Sequence, residues 1–321
     1  MLFRYKKIID KELELYSGNL PSLAIYDPIK YIIGLGGKRF RSSLTLLASD
    51  LFCGKPLLSV NEAVAIELFH NFTLIHDDIM DEAPIRRNHQ SVHKKWNIND
   101  AILSGDLLYA LVNKLLSTSS SQSPEIHKLF QQTAIEVCEG QSLDMEFENK
   151  NDISLAEYIN MIQLKTSVLV ACALKIGALI GGADLNNANL LYNFGLNLGT
   201  AFQIHDDILD VYPNKDSFGK QIGGDIIEKK KTILLVELLR KSSSEDQKMI
   251  LKTLEDKEMK SNLKVTKIKE YYKKYNVLEL AVNSKNEYFE KAIECANQID
   301  ISENKKNLVR EFSVALMDRK I

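Results

Sequence analysis

In Phe72-Thr73-Leu74-Ile75-His76-Asp77-Asp78-Ile79-Met80-Asp81, an apolar run leads directly into three aspartates. The same order recurs in Thr200-Ala201-Phe202-Gln203-Ile204-His205-Asp206-Asp207-Ile208-Leu209-Asp210. On an α-helix, residues i and i+4 lie on one face about 5 Å apart along the axis, so the first and last aspartates of each motif project together. Apolar residues recur at helical spacing along the chain, and we find no alternating run bounded by turn signals. The chain is therefore predicted to be all-α, with both acidic motifs on mostly buried helices.

The composition is that of a globular protein. The 321 residues are 45% hydrophobic and 26% charged with a formal net charge of -2, so no overall field attracts nucleic acid or an anionic membrane. The four cysteines lie far apart, which suggests neither a zinc site nor a disulfide framework. The most apolar stretch, residues 168–183, is short for a membrane span and is predicted to be a buried helix. The first residues do not resemble a signal peptide, so we expect one cytoplasmic helical domain covering residues 1–321.

Carboxylates that lie close together in a partly buried place need a cation. Oxygen ligands that leave room for water and phosphate suit Mg²⁺. One such motif occurs by chance on many solvated helices, but two with matching neighbours are a more specific signal. The steps His76-Asp77 and His205-Asp206 also suggest a helical metal-dependent phosphohydrolase. That alternative is the weaker one, because a helix would point His76 roughly 100° away from Asp77.

Two basic clusters accompany the acidic motifs. The segment Gly36-Gly37-Lys38-Arg39-Phe40-Arg41 places Lys38 and Arg41 where they can reach one anion together. Arg86-Arg87 follows five and six residues after Asp81, and the rigid fork of arginine suits diphosphate oxygens. An isolated arginine pair is usually a solvated surface feature. One loop beyond an acidic metal cluster, it instead predicts a phosphate site.

In this order, the motifs resemble those of the trans-isoprenyl diphosphate synthases, the family of farnesyl and geranylgeranyl diphosphate synthases. The resemblance runs from Gly36 to about Thr232. It implies a bundle of mostly antiparallel helices around a deep central cavity, and a homodimer. It also implies an enzyme that joins an allylic diphosphate (dimethylallyl, geranyl or farnesyl) head to tail with isopentenyl diphosphate. The expected product is a short all-trans prenyl diphosphate.

The resemblance further implies a role for each matching residue. Three Mg²⁺ ions would be ligated directly by Asp77, Asp81 and Asp206, with Asp78, Asp207 and Asp210 acting directly or through metal-bound water. The allylic diphosphate would be held by Arg86, Lys165, Lys220 and Lys230. Isopentenyl diphosphate would be held by Lys38, Arg41, His70 and Arg87. The reacting carbon atoms would be lined by Thr166, Gln203 and the backbone carbonyl of Lys165, and the metal site would be supported by Gln141 and Asp144. The sequence departs from the usual family residues at Asn88, Gly224 and Lys229, which leaves open which of three adjacent lysines contacts phosphate.

The residues just before the first motif bear on product length. A chain growing between the helices would meet Phe72, which lies five residues before Asp77 and a little over one helical turn deeper. Phe72 would form a floor, and the small Thr73 would leave some room beside it. This arrangement resembles the short-chain enzymes, so a C20 (geranylgeranyl) or C15 (farnesyl) product is expected, with the choice between them open.

Three alternatives within or near the family remain. A longer-chain polyprenyl diphosphate synthase would need its floor elsewhere than at Phe72. A class I terpene cyclase shares the first motif but replaces the second with an Asn/Ser/Glu cluster, and it has no need for an isopentenyl site. A non-catalytic partner subunit would have lost aspartates, whereas this chain keeps all six.

Overall fold

Sixteen α-helices make up most of the part of the chain that the computed structural model describes, which comprises residues 2–118, 124–213 and 222–318. In chain order they are α1 Leu2–Gly18, α2 Asp27–Gly34, α3 Phe40–Cys53, α4 Val60–Met80, α5 Val92–Lys95, α6 Ile98–Thr118, α7 Pro124–Glu148, α8 Leu155–Ile162, α9 Val168–Ile180, α10 Leu185–Val211, α11 Gly224–Ile227, α12 Ile233–Lys241, α13 Ser244–Glu255, α14 Ser261–Lys274, α15 Val277–Gln298 and α16 Glu303–Met317. Short 3-10 turns lie at Ala24–Tyr26 and Pro56–Ser59, and a π-helical turn lies at Gln163–Ser167. The all-α prediction is confirmed.

Each acidic motif lies at the C-terminal end of a long, largely buried helix. Helix α10 begins at the N-cap Asp184, whose carboxylate accepts a hydrogen bond from the backbone N–H of Asn187 at 2.7 Å. Helices α4 and α10 end at Met80 and Val211, directly beside the last aspartate of each motif. The C-terminus of a helix carries partial negative charge. Both sets of aspartates therefore lie where a cation is needed.

Apolar side chains gather in two clusters that share α10 and α15. The larger cluster contains Leu198 of α10 and Ala292 of α15, together with most of the core of α1–α7, α9 and α16. The smaller contains Ile204 of α10 and Ala281 of α15, together with residues of α8 and α11–α14. Two continuous helices thus run through both clusters, and the second acidic motif lies beside the smaller one.

A two-stranded hairpin follows the first motif. Its strands, β1 Ile85–Arg86 and β2 His89–Gln90, pair antiparallel around Arg87 and Asn88. These two residues have φ values of 53° and 64°, as a type I′ turn requires at both central positions. The sequence did not predict this hairpin, because strands of two residues are too short to show alternation. The turn fixes the backbone that carries both arginines of the pair.

The most apolar helical stretch is Leu155–Ile180, which comprises α8, the π-helical turn and α9. By length and composition alone it could cross a membrane, but 67% of its most apolar window is buried inside the protein. Residues 168–174 are all buried, and α9 packs against α3, α7 and α10. The buried helix predicted at this position is observed.

Candidate active site

The first and last aspartates of the motifs are the more accessible ones. Asp77 and Asp206 are partly buried and Asp81 is exposed at the end of α4. Burial raises the pKa of Asp77 to about 6; Lys165 and Arg86 oppose this effect, and the neighbouring Asp81 adds to it. A carboxylate in this setting is relieved of part of its electrostatic cost by a bound cation.

The middle aspartates are buried and already accept hydrogen bonds from other groups of the protein. Asp78 accepts a hydrogen bond from the Nε of Arg86 at 2.9 Å. Asp207 accepts from the hydroxyl of Tyr158 at 2.5 Å, from the backbone N–H of Ile233 at 3.1 Å, and from Gln203 at 3.1 Å. These contacts anchor the two helix ends to neighbouring elements. Asp78 and Asp207 therefore face into the protein, while the first and last aspartates of each motif remain the accessible members.

The N-terminal end of α11 contacts the last aspartate of the second motif. The backbone N–H of Asp225 donates to the carboxylate of Asp210 at 3.1 Å, and that of Gly223 donates to the Asp210 carbonyl at 2.8 Å. Burial, together with Asp207 and Asp210, raises the pKa of Asp225 to about 7. Asp225, which follows two glycines, is not among the site residues predicted from the sequence.

Lys230 reaches from the α11–α12 connection towards the first motif. Its pKa is raised: burial works against this, but the carboxylates of Glu228, Asp81 and Asp225 outweigh burial. Lys231, by contrast, is buried and directs its Nζ to the side chain of Asn151 at 3.5 Å. Of these two adjacent lysines, Lys230 therefore lies nearer the aspartates.

The π-helical turn carries Lys165 and Thr166 into the same region. The Nζ of Lys165 lies 2.5 Å from the carboxylate of Asp144 on α7. The hydroxyl of Thr166 donates to the Oε1 of Gln203 at 3.4 Å, and Gln203 in turn donates to Asp207. One chain of hydrogen bonds thus links the turn to the second motif. Such turns often occur at functional sites, because they redirect side chains locally.

A cavity of about 1040 Å³ has one cationic and one apolar wall; its lining includes His70 and Phe202, which precede the two motifs, but none of the motif aspartates. The cationic wall contains Lys38, Arg41, His70 and Arg87, the four residues that the family resemblance assigned to isopentenyl diphosphate. The apolar wall includes Phe202 of α10 and Phe312 of α16. An anionic head group and a short hydrocarbon would each find a matching surface here.

Arg41 and His70 form a pair on the cationic wall. Arg41 donates to the Nε2 of His70 at 3.3 Å. Burial, and then the positive charges of Arg41 and Arg87, hold the pKa of His70 well below its ordinary value. The imidazole is therefore neutral and can accept this bond. Burial lowers the pKa of Arg41, and the carboxylates of Glu67, Asp77 and Asp206 oppose that effect, so Arg41 lies within electrostatic reach of both motifs.

Comparison with known proteins identifies the family of this chain. The family model described as polyprenyl synthetase matches residues 23–273. This chain belongs to the polyprenyl synthetase family. It is 38% identical to a geranylgeranyl diphosphate synthase of Sulfolobus acidocaldarius, over 93% of this chain and 92% of the relative. It is also 38% identical to a geranylfarnesyl diphosphate synthase of Natronomonas pharaonis, over 65% and 67% of the two chains. A solved geranylgeranyl pyrophosphate synthase superposes with a TM-score of 0.93 at 37% identity, covering 99% and 98%.

Membership of the polyprenyl synthetase family implies use of a divalent metal. The donor chemistry fits, because the accessible groups are carboxylates. Asp78 Oδ2 and Gln141 Oε1 are also buried oxygens for which the described residues offer no hydrogen-bond donor. Within residues 2–118, 124–213 and 222–318, however, no three His, Cys, Asp or Glu side chains converge closely enough to hold an ion. A metal at this site would need further oxygens, from water or from a bound diphosphate, to complete its shell.

One further cation of this polyprenyl synthetase was not assigned by the sequence analysis. Arg39 is buried, takes a left-handed backbone conformation with φ 51°, and forms 2.9 Å ion pairs with Asp10 and Glu67. It also donates to the carbonyl of Ile33 at 2.9 Å. Arg39 thereby holds the backbone between Lys38 and Arg41. Its neighbours come from α1 and α4, which sequence spacing alone does not reveal.

The residues proposed to set product length lie on α4 facing α6. Phe72 is partly buried, with its ring centroid 5.4 Å from that of Tyr109 and 5.5 Å from that of Phe69. Thr73 is also partly buried, and its hydroxyl donates to the carbonyl of His70 at 2.9 Å. The predicted phosphate ligand Lys220 lies outside the described residues.

Proposed function

We propose that this protein is a magnesium-dependent prenyltransferase that condenses an allylic diphosphate with isopentenyl diphosphate to give a short all-trans prenyl diphosphate. The observation that carries the proposal is the placement of a cationic cavity within electrostatic reach of two acidic motifs. A terpene cyclase would need only the acidic half of this arrangement. The names of the relatives, which include geranylgeranyl and geranylfarnesyl diphosphate synthases, support the same reaction.

Each of the two substrates binds on its own side of the site. Lys38, Arg41 and Arg87 hold the diphosphate of the isopentenyl substrate, with neutral His70 fixing the direction of Arg41. Lys165 and Lys230, which lie within electrostatic reach of the first motif, hold the allylic diphosphate together with Arg86. Lys220 is included in this second set by resemblance alone.

The reaction begins when the allylic C–O bond breaks and its electron pair leaves with the diphosphate. Asp77, Asp81 and Asp206 would hold Mg²⁺, with three ions expected, and the bound ions would supply positive charge opposite this leaving group. Lys165 and Lys230 donate hydrogen bonds to the same oxygens. Asp78 and Asp207 keep the two helix ends in place, and Asp210 anchors the loop that leads to Lys230.

The allylic cation then reacts with the isopentenyl double bond. The oxygens of Thr166 and Gln203, and the carbonyl of Lys165, lower the energy of this cation through their dipoles. They are weak nucleophiles and do not capture it. The new C–C bond uses the electrons of the double bond, and the proton lost afterwards passes to the released diphosphate.

Product length is set at the floor formed by Phe72 and Thr73, and the main product is C20 or C15. Replacing Phe72 with alanine removes the ring that blocks the growing chain, so longer products should accumulate. Chain length is read by chromatography of the dephosphorylated products. Phe52→Ala, which removes a partly buried ring at the far end of α3, should leave the distribution unchanged. An unchanged distribution in Phe72→Ala would contradict the floor.

The enzyme acts as a single-domain homodimer in the cytoplasm. Helix α6 carries exposed apolar side chains at Ile98, Ile102 and Leu103, and such a patch is typical of an interface between subunits. The two apolar clusters share α10 and α15, which supports one folding unit.

The proposed activity is tested by incubating the purified protein with isopentenyl diphosphate and dimethylallyl, geranyl or farnesyl diphosphate. We expect condensation with at least one allylic substrate in the presence of Mg²⁺, and none after chelation with EDTA. Release of a cyclic hydrocarbon from the allylic substrate alone would instead indicate a cyclase. Absence of any condensation product with all three substrates would overturn the proposal.

A further inference from the structure

His76 precedes the first metal-binding aspartate, but it belongs to the contact between α4 and α6. Its Nε2 lies 3.3 Å from the carbonyl of Ile102 and 3.9 Å from the carboxylate of Asp106. The ring rests directly on the bare backbone of Gly105. A Cβ added at Gly105 would lie 2.2 Å from Nε2 and 2.6 Å from Cδ2 of His76. These distances are far inside van der Waals contact, so the ring can occupy this position only because residue 105 is glycine.

The same imidazole also supports the ring of Phe72. The two ring centroids are 4.8 Å apart with an interplanar angle of 65°, which is a favourable edge-to-face arrangement. Phe72 meets Tyr109 and Phe69 on its other sides. His76 is one turn nearer the aspartates than Phe72, because the two residues are separated by four positions. It therefore closes the α4–α6 contact on the side of Phe72 from which the substrate chain would arrive.

We propose that His76 is a positioning residue for product length: seated on Gly105, it fixes the Phe72 ring and thereby the depth available to the growing chain. The inference rests on the proposed prenyl transfer and deepens it. Without the imidazole, the edge-to-face contact is lost and a space opens beside Phe72. The Phe72 ring can then turn into that space, and the floor no longer blocks the chain.

His76→Ala is the first test, with the chain-length distribution as its readout. We expect a severalfold rise in the ratio of the next longer product to the wild-type product. A purely structural loss would lower total turnover without changing this ratio. If the ratio in folded, active His76→Ala equals that of the wild type, the inference is overturned.

Gly105→Ala is the second test, and it leaves every titratable side chain in place. The added methyl group displaces the His76 ring, so the distribution should shift in the same direction. Introduced into His76→Ala, the same methyl group should cause no further shift, because the ring it displaces is absent. The matched control is Gly18→Ala on α1, where an added Cβ meets nothing within 4 Å and the distribution should not change.

The double variant decides whether the contact itself matters. Equal shifts from Gly105→Ala in the presence and absence of His76 would overturn the inference. If His76→Ala does not fold, an unchanged distribution in Gly105→Ala overturns it. Failure of this inference is distinguishable from failure of the proposed function, because in the latter case the wild-type protein forms no condensation product at all.

Discussion

At the level of single residues, several acids in this protein are buried before any cation binds. Burial raises the pKa of Asp77 and of Asp207 to about 6, and burial together with neighbouring carboxylates raises that of Asp225 to about 7. In the unfolded chain these groups titrate near 4. The folded, metal-free protein thus holds protons that the unfolded chain has lost. These three acids therefore contribute stability that is fully present below about pH 4 and is lost as the pH rises to about 7.

This dependence can be measured at Asp225. Replacing Asp225 with asparagine removes the cost of burying its charge, which grows from about pH 4 and is fully present above about pH 7. In the presence of a chelator, the variant should be more stable than the wild type at pH 8, by about 2–4 kcal/mol, and the gain should fall to about half or less at pH 5. Urea unfolding at the two pH values measures it. The exposed Asp152→Asn should show no such pH-dependent gain, and an equal gain at both pH values would contradict the explanation.

The accessible residues of the site were predictable from the sequence. The residues that hold them in position, such as Arg39, were not. Spacing alone distinguished Asp77 and Asp81, which share a face, from Asp78 at its flank. The clustering of Lys38, Arg41, His70 and Arg87 followed from family resemblance and is now a property of one cavity. Arg39, by contrast, depends on Asp10 and Glu67, which lie 29 positions before it and 28 positions after it. No local pattern marks such a partner.

Among the secondary-structure elements, the π-helical turn between α8 and α9 depends on a close approach by α7. A Cβ added at Gly140 of α7 would lie 2.2 Å from the backbone nitrogen of Lys165 and 2.7 Å from its Cα. The turn can therefore lie directly on α7 only because residue 140 is glycine. The same contact brings Lys165 within 2.5 Å of Asp144.

Gly140→Ala tests the role of this contact. The methyl group meets backbone, which cannot move aside cheaply, so overpacking should cost about 1–3 kcal/mol of stability. It should also displace Lys165 and Thr166, and turnover should fall at least tenfold at saturating substrate in the protein that remains folded. The control is again Gly18→Ala, which should change neither property appreciably. Wild-type turnover in Gly140→Ala would show that the position of the turn does not matter for the reaction.

The sequence predicted the long helices better than the short elements. Apolar spacing located α4, α9 and α10, because burial of a helix face leaves a repeated signal along the chain. It did not reveal the hairpin at Ile85–Gln90 or the π-helical turn, because each occupies only five or six residues. Both elements nevertheless carry predicted substrate ligands. Their conformations are imposed by tertiary contacts such as Arg86 with Asp78.

For the whole molecule, the architecture places the second acidic motif where two apolar clusters meet. Helix α10 passes from the larger cluster into the smaller one just before its aspartates. The site is therefore assembled from α3, α4, α10, the π-helical turn and the α11–α12 connection. Composition and periodicity established the helical class but could not give this assembly. Only the resemblance of this chain to the trans-isoprenyl diphosphate synthases implied a central cavity.

The proposed homodimer is tested at the exposed apolar face of α6. Leu103 is 54% exposed, so a charge there should not harm the isolated fold but should disrupt an interface. Light scattering of the wild type should give twice the mass of the chain, and Leu103→Glu should shift the protein towards the single-chain mass. Leu185→Glu, at an equally exposed leucine on α10, should remain a dimer. A wild-type protein of single-chain mass would contradict the homodimer.

The claim that both acidic motifs serve one reaction is tested most directly by the turnover of Asp77→Ala and Asp206→Ala. Each variant is assayed with isopentenyl and allylic diphosphates at saturating Mg²⁺, and circular dichroism verifies that it keeps its helical content. Both should lose activity by orders of magnitude, because each removes a carboxylate that holds the charge opposite the leaving group. The exposed Asp152→Ala should retain wild-type turnover. Near-normal turnover in both Asp77→Ala and Asp206→Ala would contradict the account.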